Sequence, residues 1–239
     1  MRLSTLIVAV MLLPGAACAR TAVTRGSPVP TAPADTNSAT SANAADVPLA
    51  SDAAAESILV DVRTLDSGIV VDLRYRTADN FTRAPLPGYE ANRALLHRDA
   101  AQALALVQRR LASSGVTLVV WDAYRPRRAT LAMVEWTQRT AQTHLITDGY
   151  IASRSRHNMG VAVDLTIADA ASGAELDMGT PYDTFDERAH AANATGAVLR
   201  NRQRLRAAME AQGFRQYDKE WWHYSYGLAD ARPFDLPIR

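Results

Sequence analysis

The chain has almost no sulfur chemistry of the thiol kind. A single cysteine, Cys18, stands in 239 residues, so no intrachain disulfide can form and no thiolate is available to a metal in the body of the chain. Excess charge of either sign is also missing. The 26 basic and 25 acidic residues leave a net +1, which excludes a broad field for nucleic acid or for a membrane surface. Basic clusters run from Arg125 to Arg128 and from Arg200 to Arg206, and the second reads as a solvated helix face. The apolar stretch from Leu6 to Leu13 is too short to remain in a bilayer as a permanent helix. There is no internal repeat. What is present is a 48% hydrophobic composition over a length suited to one compact domain with a real core.

The first residues read as a targeting segment. Arg2, the apolar stretch, Pro14, Gly15 and a run of small residues form a signal peptide over residues 1–19. Ala17-Cys18-Ala19 fits cleavage before Arg20. Gly15-Ala16-Ala17-Cys18 is also similar to a lipoprotein box, with Gly15 where leucine is usual. Both readings stand: an exported soluble protein, or one held by a lipid anchor on Cys18. Either places it in the periplasm. Residues 20–57 are rich in Ala, Thr, Ser, Pro and Asp without hydrophobic periodicity, and are expected to be a disordered tether. The folded domain is expected over residues 58–239.

Within it, Ile58 to Val62 and Ile69 to Tyr75 read as strands around Asp66-Ser67-Gly68. Ala100, Leu104, Val107 and Leu111 recur at helical spacing in a helix from Asp99 to Ser113. Thr117 to Trp121 reads as a buried strand, and Pro126 opens a helix reaching about Thr143. Val161 to Ile167 alternates strictly, with Asp164 on the face opposite Val163 and Leu165. A helix from Leu199 to Gln212 and an aromatic strand from Trp221 to Tyr226 follow. Elements mix without a βαβ rhythm. The expected class is α+β, a mostly antiparallel central sheet flanked by helices, with a site on the sheet face.

Two runs carry the chemistry. SRSRHNMGVAVDLT holds His157 and Asp164, and KEWWHYSYG holds Glu220 and His223. Two imidazoles, a carboxylate and a spare glutamate are the inventory of a hydrolytic zinc centre with an open position for water. Strand parity raises a difficulty. His157 and Asp164 are an odd step apart, as are Glu220 and His223, so on straight strands each pair would face opposite ways. A bend is cheap at Gly160, which places His157 on the loop before the strand, and Glu220 is expected just before its own strand. His97, His144 and His190 read as ordinary histidines, and Trp221 and Trp222 as packing. Arg125 is open between an anion site and a salt bridge to Asp122.

These motifs, with DLRYRTADNFT, PGYEANR, VVWDAYRP, DMGTPYDTFDERAHAAN and EWWHY, resemble those of the D-alanyl-D-alanine dipeptidases, the VanX-type branch of zinc peptidases that also contains D,D-carboxypeptidases. The resemblance runs from about Val71 to the C-terminus. It implies one zinc ion on His157, Asp164 and His223, Glu220 as the proton-handling group, and Arg125 facing the oxyanion. It further implies Asp183 for the ammonium of a small D,D-dipeptide and Ser155 for its carboxylate. Two other readings remain: a D,D-carboxypeptidase or peptidoglycan endopeptidase of the same superfamily, and a non-catalytic zinc-binding recognition module.

Overall fold

The computed structural model describes residues 48–239. The signal peptide, Cys18 and most of the expected tether lie outside the described residues. The C-terminal part of that tether segment is structured, which corrects the boundary at residue 58. Asp52–Ile58 forms helix α1, capped by Ser51, whose side chain accepts from the Ala54 amide. Ala55 is fully buried. Ala50 N–H donates to the Pro233 carbonyl at 3.0 Å, and Arg98 reaches the Ser57 carbonyl at 3.1 Å. Composition pointed to disorder because three small alanines offer no periodic large side chain. Docking against the domain supplies the burial that the segment lacks alone.

Strand β1 (Leu59–Asp61) pairs antiparallel with β3 (Leu95–His97) in a small sheet. The main sheet has five strands, in the order β2 (Val70–Val71), β4 (Val116–Asp122), β5 (Ala162–Asp169), β7 (Glu220–Tyr226) and β6 (Phe214–Tyr217). Only β2–β4 is parallel, so the sheet is mostly antiparallel as expected. The expected strand over Ile69–Tyr75 shrinks to two residues. Beyond them the Asn92 side chain stands in for a strand partner, accepting from Leu73 N at 3.0 Å and donating to the Val71 carbonyl at 2.8 Å. With those groups satisfied, the chain turns into a short 3-10 segment at Arg74–Arg76.

Helix α2 (Arg98–Ala112) buries Leu104, Val107 and Leu111, the stripe read from the sequence. Helix α3 (Arg127–Arg139) follows Pro126, which serves as its N-cap residue, and stops short of Thr143. Ala141, at φ 57°, breaks the helical path before the one-turn α4 (His144–Thr147). Helix α5 (Gly196–Glu210) packs beside α2. Leu104, Val107 and Leu205 from these helices share one core with Val163, Leu165 and Ile167 of β5. Alternation leaves Asp164 on the other face of that strand. No helix among the described residues is long and apolar enough to cross a membrane.

Deleting residues 1–47 should leave thermal stability unchanged. Starting the chain at Leu59 removes the cap, the buried Ala55 and two tethering hydrogen bonds. That should cost about 1–2 kcal/mol or more, which for a domain of this size is roughly 2–4 °C of Tm per kcal/mol. Melting curves of the two truncations check this; equal curves would mean that α1 only decorates the domain.

Candidate metal centre and active site

Register builds the site. Asp164 of β5 lies opposite His223 of β7 and opposite Asp122 of β4, so cross-strand neighbours bring the three side chains to one face. Between Val120 and Asp122 the β4 register shifts, placing two residues of β4 against one of β5. Such a bulge re-aims side chains beside a site. Here it keeps Trp121 on the side of Asp164, against the Tyr182 ring at 5.0 Å, while Asp122 joins the row. A second register break separates the pair Gln216–Tyr224 from the pair Tyr217–Glu220. It answers the parity difficulty of Glu220 and His223: alternation is interrupted between them, and both line one cleft. Glu220 is thus the first strand residue, not the residue before the strand.

His157 arrives from a loop, as its parity required. Ser155 to Gly160 forms a capped 3-10 turn in which Ser155 Oγ accepts from His157 N at 3.2 Å. The turn closes at Gly160 with φ 67°. A Cβ there would meet Leu59 Cδ2 at 2.5 Å and His97 N at 3.0 Å, so glycine is required both by conformation and by close approach.

Three buried acceptors then face one another. Asp164 Oδ1 is 2.9 Å from His223 Nδ1 and 3.4 Å from His157 Nε2, and the two nitrogens are 3.2 Å apart. Ligand atoms about 2.0–2.2 Å from a tetrahedral ion stand roughly 3.3–3.6 Å from each other. The triad is therefore close to the spacing of an ion's ligand shell, and it could hold a metal. Each imidazole's second nitrogen has a partner that fixes its ring: His157 Nδ1 donates to the Ala123 carbonyl at 2.6 Å, and His223 Nε2 lies 3.3 Å from Ser225 Oγ. Burial works to raise the Asp164 pKa, but the two imidazoles outweigh it and hold the carboxyl well below the usual range.

Around the triad lies a narrow cleft, lined among others by Tyr75, Arg125, Ser155, Asp183, Glu220 and Trp222. All seven expected site residues meet here. Arg125 makes the salt bridge to Asp122 that was one of its two readings. Its Nε and Nη2 bond Asp122 Oδ2 at 2.9 and 2.8 Å, and its Nη2 stands 3.7 Å from Asp164 Oδ2 at the cleft wall. Glu220 Oε2 lies 3.9 Å from His223 Nδ1. Burial, then the charges of Asp164 and Asp183, raise its pKa well above the ordinary carboxyl range. Asp183 sits at φ 58° and accepts from Tyr75 Oη at 2.9 Å on Oδ1, while Oδ2 is buried with no hydrogen-bond partner. Burial is the main cause of its pKa rise to about 8, opposed by the Tyr75 hydrogen bond and reinforced by Asp164. Sequence reasoning missed Tyr75 and Tyr182, whose hydroxyls join Asp183 to Asp164 through contacts of 2.9, 3.0 and 2.8 Å. No spacing rule marks a tyrosine for that role. Trp221 packs as read, but Trp222 also walls the cleft.

Buried imidazoles and a carboxylate converging beside a glutamate and an arginine define the class of metal-dependent hydrolases. Within it, the profile described as D-ala-D-ala dipeptidase, of the M15 peptidases, matches residues 55–235, and the chain belongs to that family. The chain is 38% identical over 191 residues to the D-alanyl-D-alanine dipeptidase of Enterococcus faecium, covering 72% of this chain and 94% of the relative. It is equally 38% identical over 195 residues to that of Streptomyces coelicolor, covering 74% and 96%. Among solved structures, the vancomycin resistance D,D-dipeptidase VanXYg in complex with a D-Ala-D-Ala phosphinate analogue is 19% identical, with a TM-score of 0.39 over 72% of this chain and 68% of that one. At that level the family rests on the sequence match.

The Asp183 shift has a measurable sign. Its pKa rises from the ordinary 3.8 to about 8 on folding, so the native protein holds the extra proton between those values. Its contribution is fully present below about 3.8 and is lost as pH climbs through about 8. The metal-free protein should therefore lose stability from pH 4 to 8, and Asp183→Asn should flatten that slope. Denaturant melts across the range decide it; an unchanged slope in the variant would assign the proton elsewhere.

Proposed function

We propose that this protein hydrolyses D-Ala-D-Ala to two D-alanines with one zinc ion held by His157, Asp164 and His223. The observation that carries the dipeptide reading is Asp183 Oδ2, an unpartnered buried acceptor in a small cleft beside the triad. A free ammonium is the donor that suits it, and only a substrate short enough to end there brings one. The family relatives' names agree with this reading.

Bound zinc supplies Lewis acidity, making water acidic enough to lose a proton near pH 7. Glu220, kept basic by burial and by two neighbouring carboxylates, would serve as the group that takes a proton from the attacking water and gives one to the leaving amine. Arg125 is held in place by Asp122 and presents a permanent cation to the oxyanion formed at the peptide carbonyl. Ser155 Oγ accepts from the His157 amide, so its own proton remains available to the substrate carboxylate. The phenyl rings of Phe81 and Phe185 and the side chain of Ile151 narrow the cleft around small side chains. A recognition module without catalysis would need neither Glu220 nor Arg125. For location, the leader residues support export to the periplasm, with Cys18 as a site for lipid.

Glu220→Gln should keep one zinc per chain and lose about 10²–10⁴-fold in kcat, whereas His223→Ala should lose the metal. Elemental analysis with steady-state kinetics reads both; a turning-over, metal-loaded Glu220→Gln removes Glu220 from proton transfer.

Asp183→Ala should lower kcat/KM on D-Ala-D-Ala by at least about tenfold. The native enzyme should hydrolyse N-acetyl-D-Ala-D-Ala poorly, since that substrate has no ammonium. Preference for the acetylated dipeptide or for a cell-wall pentapeptide would replace the dipeptidase reading by the carboxypeptidase one.

A further inference from the structure

The two oxygens of Asp164 are treated differently. Oδ1 faces both imidazoles, at 2.9 and 3.4 Å. Oδ2 faces Tyr182 Oη at 2.8 Å and Arg125 Nη2 at 3.7 Å. Tyr182 also touches Tyr75 Oη at 3.0 Å, but it has one proton to give. A carboxylate is the stronger acceptor and the contact is the shorter, so the proton goes to Asp164. Tyr75 in turn donates to Asp183 at 2.9 Å. Nothing in the established activity or in the roles argued above uses Tyr182.

We propose that Tyr182 is a positioning residue of the metal centre: by binding Asp164 Oδ2 it leaves only Oδ1 to the ion, so the aspartate contributes one ligand atom and a position stays open for water. A free carboxylate can offer an ion both oxygens. An added ligand atom would raise the coordination above four and crowd the position in which a hydrolase holds its water. The ring is well placed to hold the hydroxyl still. It packs against Trp121 at 5.0 Å and Trp222 at 5.5 Å, the first of which the β4 bulge keeps on this side of the sheet. Arg125, at 3.7 Å and engaged with Asp122 at shorter range, is the weaker hold on the same oxygen.

This inference rests on the ligand reading of Asp164 given above. The test is metal affinity by chelator competition, with the visible absorption of the cobalt-loaded protein as a report of coordination number. Tyr182→Phe keeps the ring and removes the donor. It should weaken zinc binding roughly 10–100-fold, the usual effect of losing a group that orients a ligand. It should also lower the cobalt absorption, as coordination rises above four. Tyr75→Phe removes the neighbouring hydroxyl but leaves the Asp164 bond, and should bind metal as the native chain does. Unchanged affinity and spectrum in Tyr182→Phe, or the same loss in Tyr75→Phe, overturns the proposal. A native protein that binds no metal would instead remove the ligand reading itself. Should Tyr182→Phe not fold, the native protein gives a second measurement. Its Tyr182 hydroxyl proton, assigned by NMR through contacts to the Trp121 and Trp222 rings, should be protected from exchange and shift on metal loading. A rapidly exchanging hydroxyl overturns the proposal equally.

Discussion

Three lone pairs on His157, Asp164 and His223 converge within 3.4 Å of one another in a region closed to solvent. A cation among them would satisfy all three at once, and much of the surrounding architecture serves to keep them there. The left-handed turn at Gly160 delivers one imidazole. The pairing of Asp164 with His223 across β5 and β7 delivers the other two groups. The Ala123 carbonyl and Ser225 Oγ then fix which nitrogen of each ring is offered.

Charge extends the same constraint outward. Asp122, Asp164, Asp183 and Glu220 crowd one region, with Arg125 as the guanidinium that answers them at the cleft wall. Without a further cation the surplus is relieved by protons, which is the direction in which Glu220 and Asp183 are pushed. A divalent ion and a substrate ammonium would take over from those protons. Burial of so many carboxyls thus favours positive charge in this region, and it raises the pKa of Glu220 and of Asp183.

Much of this was legible in the chain. The α2 stripe, the alternation around Asp164 and the composition of the two motif runs were enough for the class of fold and for every residue of the triad. The parity argument even placed His157 on a loop with its turn at Gly160. Other features could not be read because they depend on partners distant in sequence. Asn92 ends β2 early through a side chain 19 and 21 residues away. Helix α1 is held by contacts to Arg98 and Pro233, so local composition mistook it for tether. Tyr75 and Tyr182 become part of the site only when 107 residues of separation are folded away.

The two register breaks have a consequence for how such a site can vary. Glu220 and His223 reach the same cleft because β7 slips against β6 between them, and Trp121 and Asp122 share a side because β4 carries one residue more than β5 requires. The centre is therefore written in residue count as well as in residue identity. One inserted residue between Glu220 and His223 would preserve every functional side chain and still part the base from the triad. Loss of Trp121 would keep Asp122 in its row and take away the wall behind Tyr182. Loops on the surface are free to lengthen or shorten, whereas these two short stretches must keep their phase.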